Sequence, residues 1–181
     1  MRALALLLSA AFAATTILVV SRAEPSAQSN PQAKTDPLPA GEASAGAAIF
    51  AGKGTCQTCH RVRDTGSRLG PDLTDIGELR SPEQLQTSLV DPDAEVLPEG
   101  RFYRVVTRDG TTITGRLLNL DTYQIQLIDP KEQLRSFNRS ELRDHGFVKG
   151  STMPSFRTTL SRQELADVIA YLSTLKGVTP Q

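Results

Sequence analysis

The chain has 181 residues, and its 20 Lys and Arg balance 20 Asp and Glu, so the formal net charge is zero. That balance excludes the strongly basic footprint of a nucleic-acid-binding surface. The length suits one domain with an addition, and two cysteines are too few for a disulfide framework.

Arg2 precedes a nearly unbroken apolar run from Ala3 to Val20, and Ser21-Arg22-Ala23 offers small residues at the two positions a signal peptidase inspects. The expectation is a signal peptide over residues 1–23, cleaved after Ala23. The run exceeds a typical signal core, so an uncleaved membrane anchor is the alternative. Either route delivers the rest to the periplasm, and loss of Arg2 and Arg22 leaves the mature chain mildly acidic. Residues 24–42 contain Pro25, Pro31, Pro37 and Pro39 without a hydrophobic period. They read as a disordered linker or tether. Ala45 to Gly52 reads as a short helix carrying Ile49 and Phe50, and Gly52 and Gly54 stop it.

Cys56-Gln57-Thr58-Cys59-His60 follows at once. C-x-x-C-H is the attachment signature of a c-type haem. Thiols at i and i+3 are separated by about one helical turn, so each can add to one vinyl group on the same porphyrin edge. His60 is left to bind iron through an imidazole nitrogen. A thioredoxin-like site would need a βαβ setting, and structural zinc would need four ligands from a chain with two Cys and two His.

Arg61 to Gly70 reads as a polar loop, and Gly70-Pro71-Asp72-Leu73 as a rigid turn. The Pro71 carbonyl is placed to accept a hydrogen bond from His60 Nδ1–H, and Leu73 to cover the haem edge. Ser81-Pro82-Glu83 opens a helix with a cap and a proline in its first turn; Leu85 and Leu89 form its buried stripe, and Asp91-Pro92 ends it.

Phe102 to Phe137 reads as four strands in antiparallel hairpins, turning at Asp109-Gly110 and Asp129-Pro130. The unit is expected to curl into a small barrel, because a flat meander leaves open edges. Ser140 to Asp144 reads as one helical turn. Pro154 forces Met153 out of helical conformation, so Gly150 to Phe156 is a loop. The last helix begins at Ser161 with a Ser161/Glu164 capping box and a Leu160/Leu165 staple, and Gly177 stops it. Met153 is the preferred sixth iron ligand. It is the only methionine besides the initiator, and a polar loop has no use for it as filler. His145, the only other histidine, is the alternative, and otherwise reads as a surface residue.

The Gly46/Phe50 helix, the Cys56-x-x-Cys59-His60 motif, Gly70-Pro71-Asp72-Leu73, and Met153-Pro154 before a helix with Tyr171 occur together in this order. The set resembles the small monohaem cytochromes c of class I, in the subgroup with a β-rich insertion before the methionine loop (putative haem-binding domain type). The resemblance implies a mainly α cytochrome c fold over residues 43–97 and 149–178, with an inserted antiparallel β unit, small barrel or meander, over 98–148. It implies crossing first and last helices, with Gly46, Phe50 and Tyr171 at the contact. It implies one haem c attached through Cys56 and Cys59, with iron held by His60 and Met153 and with Pro71 and Leu73 around it.

The function that follows is one-electron transfer in the periplasm. An exported dehydrogenase or quinol-oxidising complex would be the donor, and an oxidase or reductase the acceptor. The competing expectation is a haem enzyme or gas-binding sensor with an open or displaceable sixth position. No acid–base pair or nucleophile stands out elsewhere in the sequence, which favours a carrier over a hydrolase.

Overall fold

The computed structural model describes residues 37–177. The expected signal peptide or anchor over 1–23, and the linker as far as residue 36, lie outside the described residues. Glu42 caps α1 (Ala43–Ala51), its side chain accepting from Ser44 N. A 3-10 turn at Cys56–Thr58 leads into a small hairpin, β1 (Arg61–Val62) and β2 (Thr65–Gly66). Two helices follow, α2 (Ile76–Leu79) and α3 (Pro82–Val90). In α3, Ser81 and Gln84 form a reciprocal capping box, and Leu85 and Leu89, one turn apart, are buried.

A 3-10 turn at Pro98–Gly100 precedes β3 (Phe102–Thr107), β4 (Thr112–Leu120), β5 (Gln124–Ile128) and β6 (Leu134–Asn138). Another at Arg139–Glu141 covers the start of the helical turn expected over Ser140 to Asp144, and the rest of that stretch belongs to β7 (Leu142–Phe147). The chain then returns through the Met153 loop to α4 (Arg162–Thr174), capped by Ser161 and Glu164 as its sequence predicts. Among the described residues, no helix is long and apolar enough to cross a membrane.

Helix α1 crosses α4 where Gly46 meets the backbone of Asp167; a Cβ at Gly46 would overlap the Asp167 carbonyl. Beside this contact the Phe50 and Tyr171 rings lie 5.4 Å apart, centroid to centroid, with their planes tilted. Two polar ties fix the crossing. Asp167 is buried and accepts from Glu42 N at 2.8 Å, and Lys53 pairs with Glu164 at 2.7 Å. Phe50, Leu85, Leu89, Phe156, Leu165 and Val168 belong to the core between these helices.

The five long strands form one antiparallel sheet in the order β6-β5-β4-β3-β7. Tyr103, Val105, Ile125 and Leu127 form a second core on one face. Strands β6 and β7 stand at opposite edges, yet only Arg139–Glu141 joins them. Five flat strands would separate the edges by about 19 Å, and a 3-10 turn advances only about 2 Å per residue. The sheet is therefore strongly curved, helped by register shifts at Val106/Thr107 and Leu117/Asn119.

The expectation of a mainly α cytochrome c fold is corrected by these elements. As many described residues stand in strands as in α-helices, because α1 and α3 have nine residues each and α2 has four. A class I cytochrome architecture is not clearly shown by this arrangement. The β unit does not close into a barrel either: β6 and β7 each keep a single strand partner. Charge takes the place of closure at the edges, which carry Arg135 on β6 and Arg143 and Asp144 on β7.

Candidate functional site

The site begins at Thr55, whose φ of 50° turns the chain sharply into the Cys56–Thr58 turn. Cys59 N and His60 N both donate to the Cys56 carbonyl, at 3.2 and 2.8 Å. Side chains three apart in such a turn point the same way, so Cys56 and Cys59 present their sulfurs along one edge. Both thiols are free and half-buried. Burial pushes the Cys56 thiol up to about 11, which keeps it neutral.

His60 is fixed by the turn expected to support it. Its Nδ1 lies 2.9 Å from the Pro71 carbonyl oxygen. A carbonyl can only accept, so Nδ1 carries the proton and Nε2 keeps its lone pair for a metal. Burial lowers the His60 pKa, partly opposed by the bond to Pro71, and favours the neutral ligand form. Gly70 makes this approach possible. Its N–H donates to the Cys59 carbonyl at 2.6 Å, and a Cβ there would come within 3.0 Å of His60 Cε1 and Nδ1.

Asp72 locks the two chain segments together. Arg61, next to His60, and Asp72, next to Pro71, pair through an isolated parallel bridge and an ion pair of 2.8 Å. Asp72 Oδ1 also accepts from Thr74 N and Oγ1, and Leu73 N donates to the Arg61 carbonyl. These bonds hold the Asp72 carboxyl below its usual range despite the opposing effect of its partial burial. Asp72 was visible in sequence only as part of a turn. The Asp-x-Thr spacing, which permits the side chain to cap the backbone two residues on, is the local signal for its role.

The Met153 loop is anchored at both ends to the segment around α3. Ser151 N donates to Asp93 Oδ1 at 2.6 Å, Ser155 Oγ to the Val90 carbonyl at 2.7 Å, and Phe156 N to the Leu89 carbonyl at 2.8 Å. Met153 is half-buried against the helical core that Cys56 and Leu73 also touch. The structure thus brings Cys56, Leu73 and Met153 to one core and joins His60 to Pro71. His145 lies elsewhere. It is half-buried in β7 opposite Val105, and its Nδ1 bonds to the Tyr103 hydroxyl at 2.8 Å, so it is not a free surface residue.

The sheet meets the site along the 61–72 segment. Arg68 pairs with Glu132 at 3.9 Å, and Gly100 lies against Pro71. A wide groove at the other end of the sheet, lined by Thr107, Asp109, Arg135 and Phe137 among others, contains no residue of the haem motif.

The donor set suits haem c. Two free thiols on one edge match two vinyl groups, and an imidazole with a free Nε2 beside a glycine cradle matches an axial ligand. Among the described residues, no three His, Cys, Asp or Glu side chains cluster as a separate metal site would require. No curated protein matches the sequence. The family model for cytochrome c matches residues 43–128, from the start of α1 through the Cys-His motif to the end of β5. Over this segment the chain is similar to cytochrome c, and its cofactor is one haem c with its iron, attached covalently through Cys56 and Cys59.

Proposed function

We propose that the protein is an exported electron carrier whose haem iron is held by His60 and Met153. When bound, the haem supplies an iron that exchanges one electron between its ferrous and ferric states. The chain's own residues keep that exchange from becoming ligand chemistry. Pro71 holds the His60 ring in one orientation, and the ties from Leu89, Val90 and Asp93 hold the Met153 loop. The observation that carries this reading is the 2.9 Å contact between His60 Nδ1 and the Pro71 carbonyl, which frees Nε2 and makes it the stronger donor. Met153 touches the same core as Cys56 and Leu73, whereas His145 is on β7 against Tyr103 and Val105 of the sheet core, which supports Met153 as the second ligand.

Export is supported by the apolar run Ala3–Val20 and the Ser21-Arg22-Ala23 sequence, with the periplasm as destination and residues 1–23 as a possible tether. We place the chain in the subgroup with a β-rich insertion, because the five-stranded sheet falls between α3 and Met153. The donor would be an exported dehydrogenase or quinol-oxidising complex and the acceptor an oxidase or reductase, met through small, short-lived interfaces.

Carbon monoxide tests this directly. The full chain, produced with a haem-attachment system and reduced, should keep its absorption spectrum when carbon monoxide is added. A rapid spectral change would show a vacant or displaceable position and move the reading to a haem enzyme or gas sensor.

A further inference from the structure

Arg116 stands out on β4. Its Nε atom is fully buried and has no hydrogen-bond partner, and it is the buried side-chain nitrogen or oxygen left in that state among the described residues. No ion pair among the described residues includes Arg116 either. Burial lowers its affinity for the proton, the nearby Arg68 and Arg61 cations lower it further, and Asp72 alone offsets them. A half-buried guanidinium whose Nε is cut off from water, beside two other cations, is costly without an anion.

The neighbours place this group. Arg61 follows His60 and Asp72 follows Pro71, the two residues joined behind the haem-binding imidazole. Arg61 is already paired with Asp72, and Arg68 with Glu132. Charge in this corner is therefore balanced except for Arg116. The sheet's pattern agrees. Ile113 and Leu117 pack on the sheet core, and Arg116 alternates to the other face, paired in register with Phe102 and Ile128. Ile128 is buried there although it is outside the sheet's core cluster.

We propose that Arg116 binds a propionate of the covalently attached haem, so that the sheet supplies the charge partner for the cofactor. Haem c brings two carboxylates into the neighbourhood of His60, and a guanidinium is the donor best shaped for a carboxylate. The sheet then takes part in the haem site. The inference rests on the haem assignment and is independent of which residue is the sixth ligand.

The test uses the holoprotein with Arg116→Leu, Arg116→Gln and Arg116→Lys, and measures the midpoint potential as a function of pH. A paired propionate stays ionised, and loss of its cation raises its pKa by about 1–3 units. The inflection in potential against pH should move upward by that amount in Arg116→Leu and Arg116→Gln, and stay near the parent's in Arg116→Lys. Arg116→Gln keeps the measurement possible if the Leu variant fails to fold. Should thermal stability fall in the two neutral variants while the inflection stays fixed, Arg116 is a packing residue or binds a solvent anion, and the proposal is wrong. Survival of the iron–sulfur absorption in every variant would separate that failure from a failure of the His60/Met153 reading.

Discussion

The helical part and the sheet are stabilised in different ways, and the chemistry falls in the part with less regular structure. The sheet has a continuous backbone ladder around Val105, Ile125 and Leu127, none of them exposed at all. The helical part has short helices, too short to be stable alone, joined by single polar side chains at long sequence distance. Asp167 reaches Glu42 and Asp93 reaches Ser151, while Asp72 makes a shorter tie to Arg61. A ladder distributes its load over many bonds. A point tie holds one segment in one place, which is what an axial ligand loop needs. The sheet's apolar core can therefore lose stability without losing the axial residues, whereas the helical part can lose them through one residue.

The sharpest break in that comparison is covalent. Replacing both Cys56 and Cys59 with alanine should abolish haem retention on a denaturing gel, whatever remains of the fold. Ile125→Ala, in the sheet core, is expected to cost about 2–5 kcal/mol in denaturant unfolding and to leave the haem spectrum unchanged. A spectral change there would mean that the sheet core shapes the iron environment. Asp72→Ala is the intermediate case. It returns the partly exposed Arg61 and Thr74 donors to water and should cost about 0.5–1.5 kcal/mol, with a shift in midpoint potential that Ile125→Ala lacks. Equal potentials in the two variants would remove the distinction between ladder and tie.

How much of this was legible in the sequence differs between the two parts. Capping residues and turn residues act locally, so Ser81, Ser161 and Pro71 reveal their roles through their neighbours alone. The alternation of Tyr103, Val105, Ile125 and Leu127 likewise marks a buried face. Balance and closure are global and did not follow. Helix caps announce short helices strongly without fixing their share of the fold, and an open edge does not force a barrel, because charged edge residues and curvature serve instead. Strand β7 carries no strand signal, because Arg143, Asp144 and His145 interrupt its apolar pattern. Arg116 carries no local signal at all; only the register across Phe102 and Ile128 brings it near Arg61 and Arg68.

The smallest expected effect concerns the α1–α4 crossing. Lys53 and the Ser161 N–H hold the Glu164 carboxyl at about 2, below its ordinary 4.5. A depressed carboxyl contributes its stability above the ordinary value and loses it as pH falls. The contribution should be complete above about pH 4.5 and disappear toward pH 2. Thermal midpoints of the parent and Glu164→Gln should converge across that window, and added salt should shrink the difference. A gap unchanged throughout would assign Glu164 to helix capping alone.

The most direct measurement is the long-wavelength absorption of the oxidised full-length holoprotein, where a thioether bound to ferric haem gives a weak sulfur-to-iron band. His60/Met153 ligation predicts that the band is present in the parent and lost in Met153→Ala, with haem still covalently attached in both. A band absent from the parent, or unchanged in Met153→Ala, would contradict it and leave the sixth position to another group.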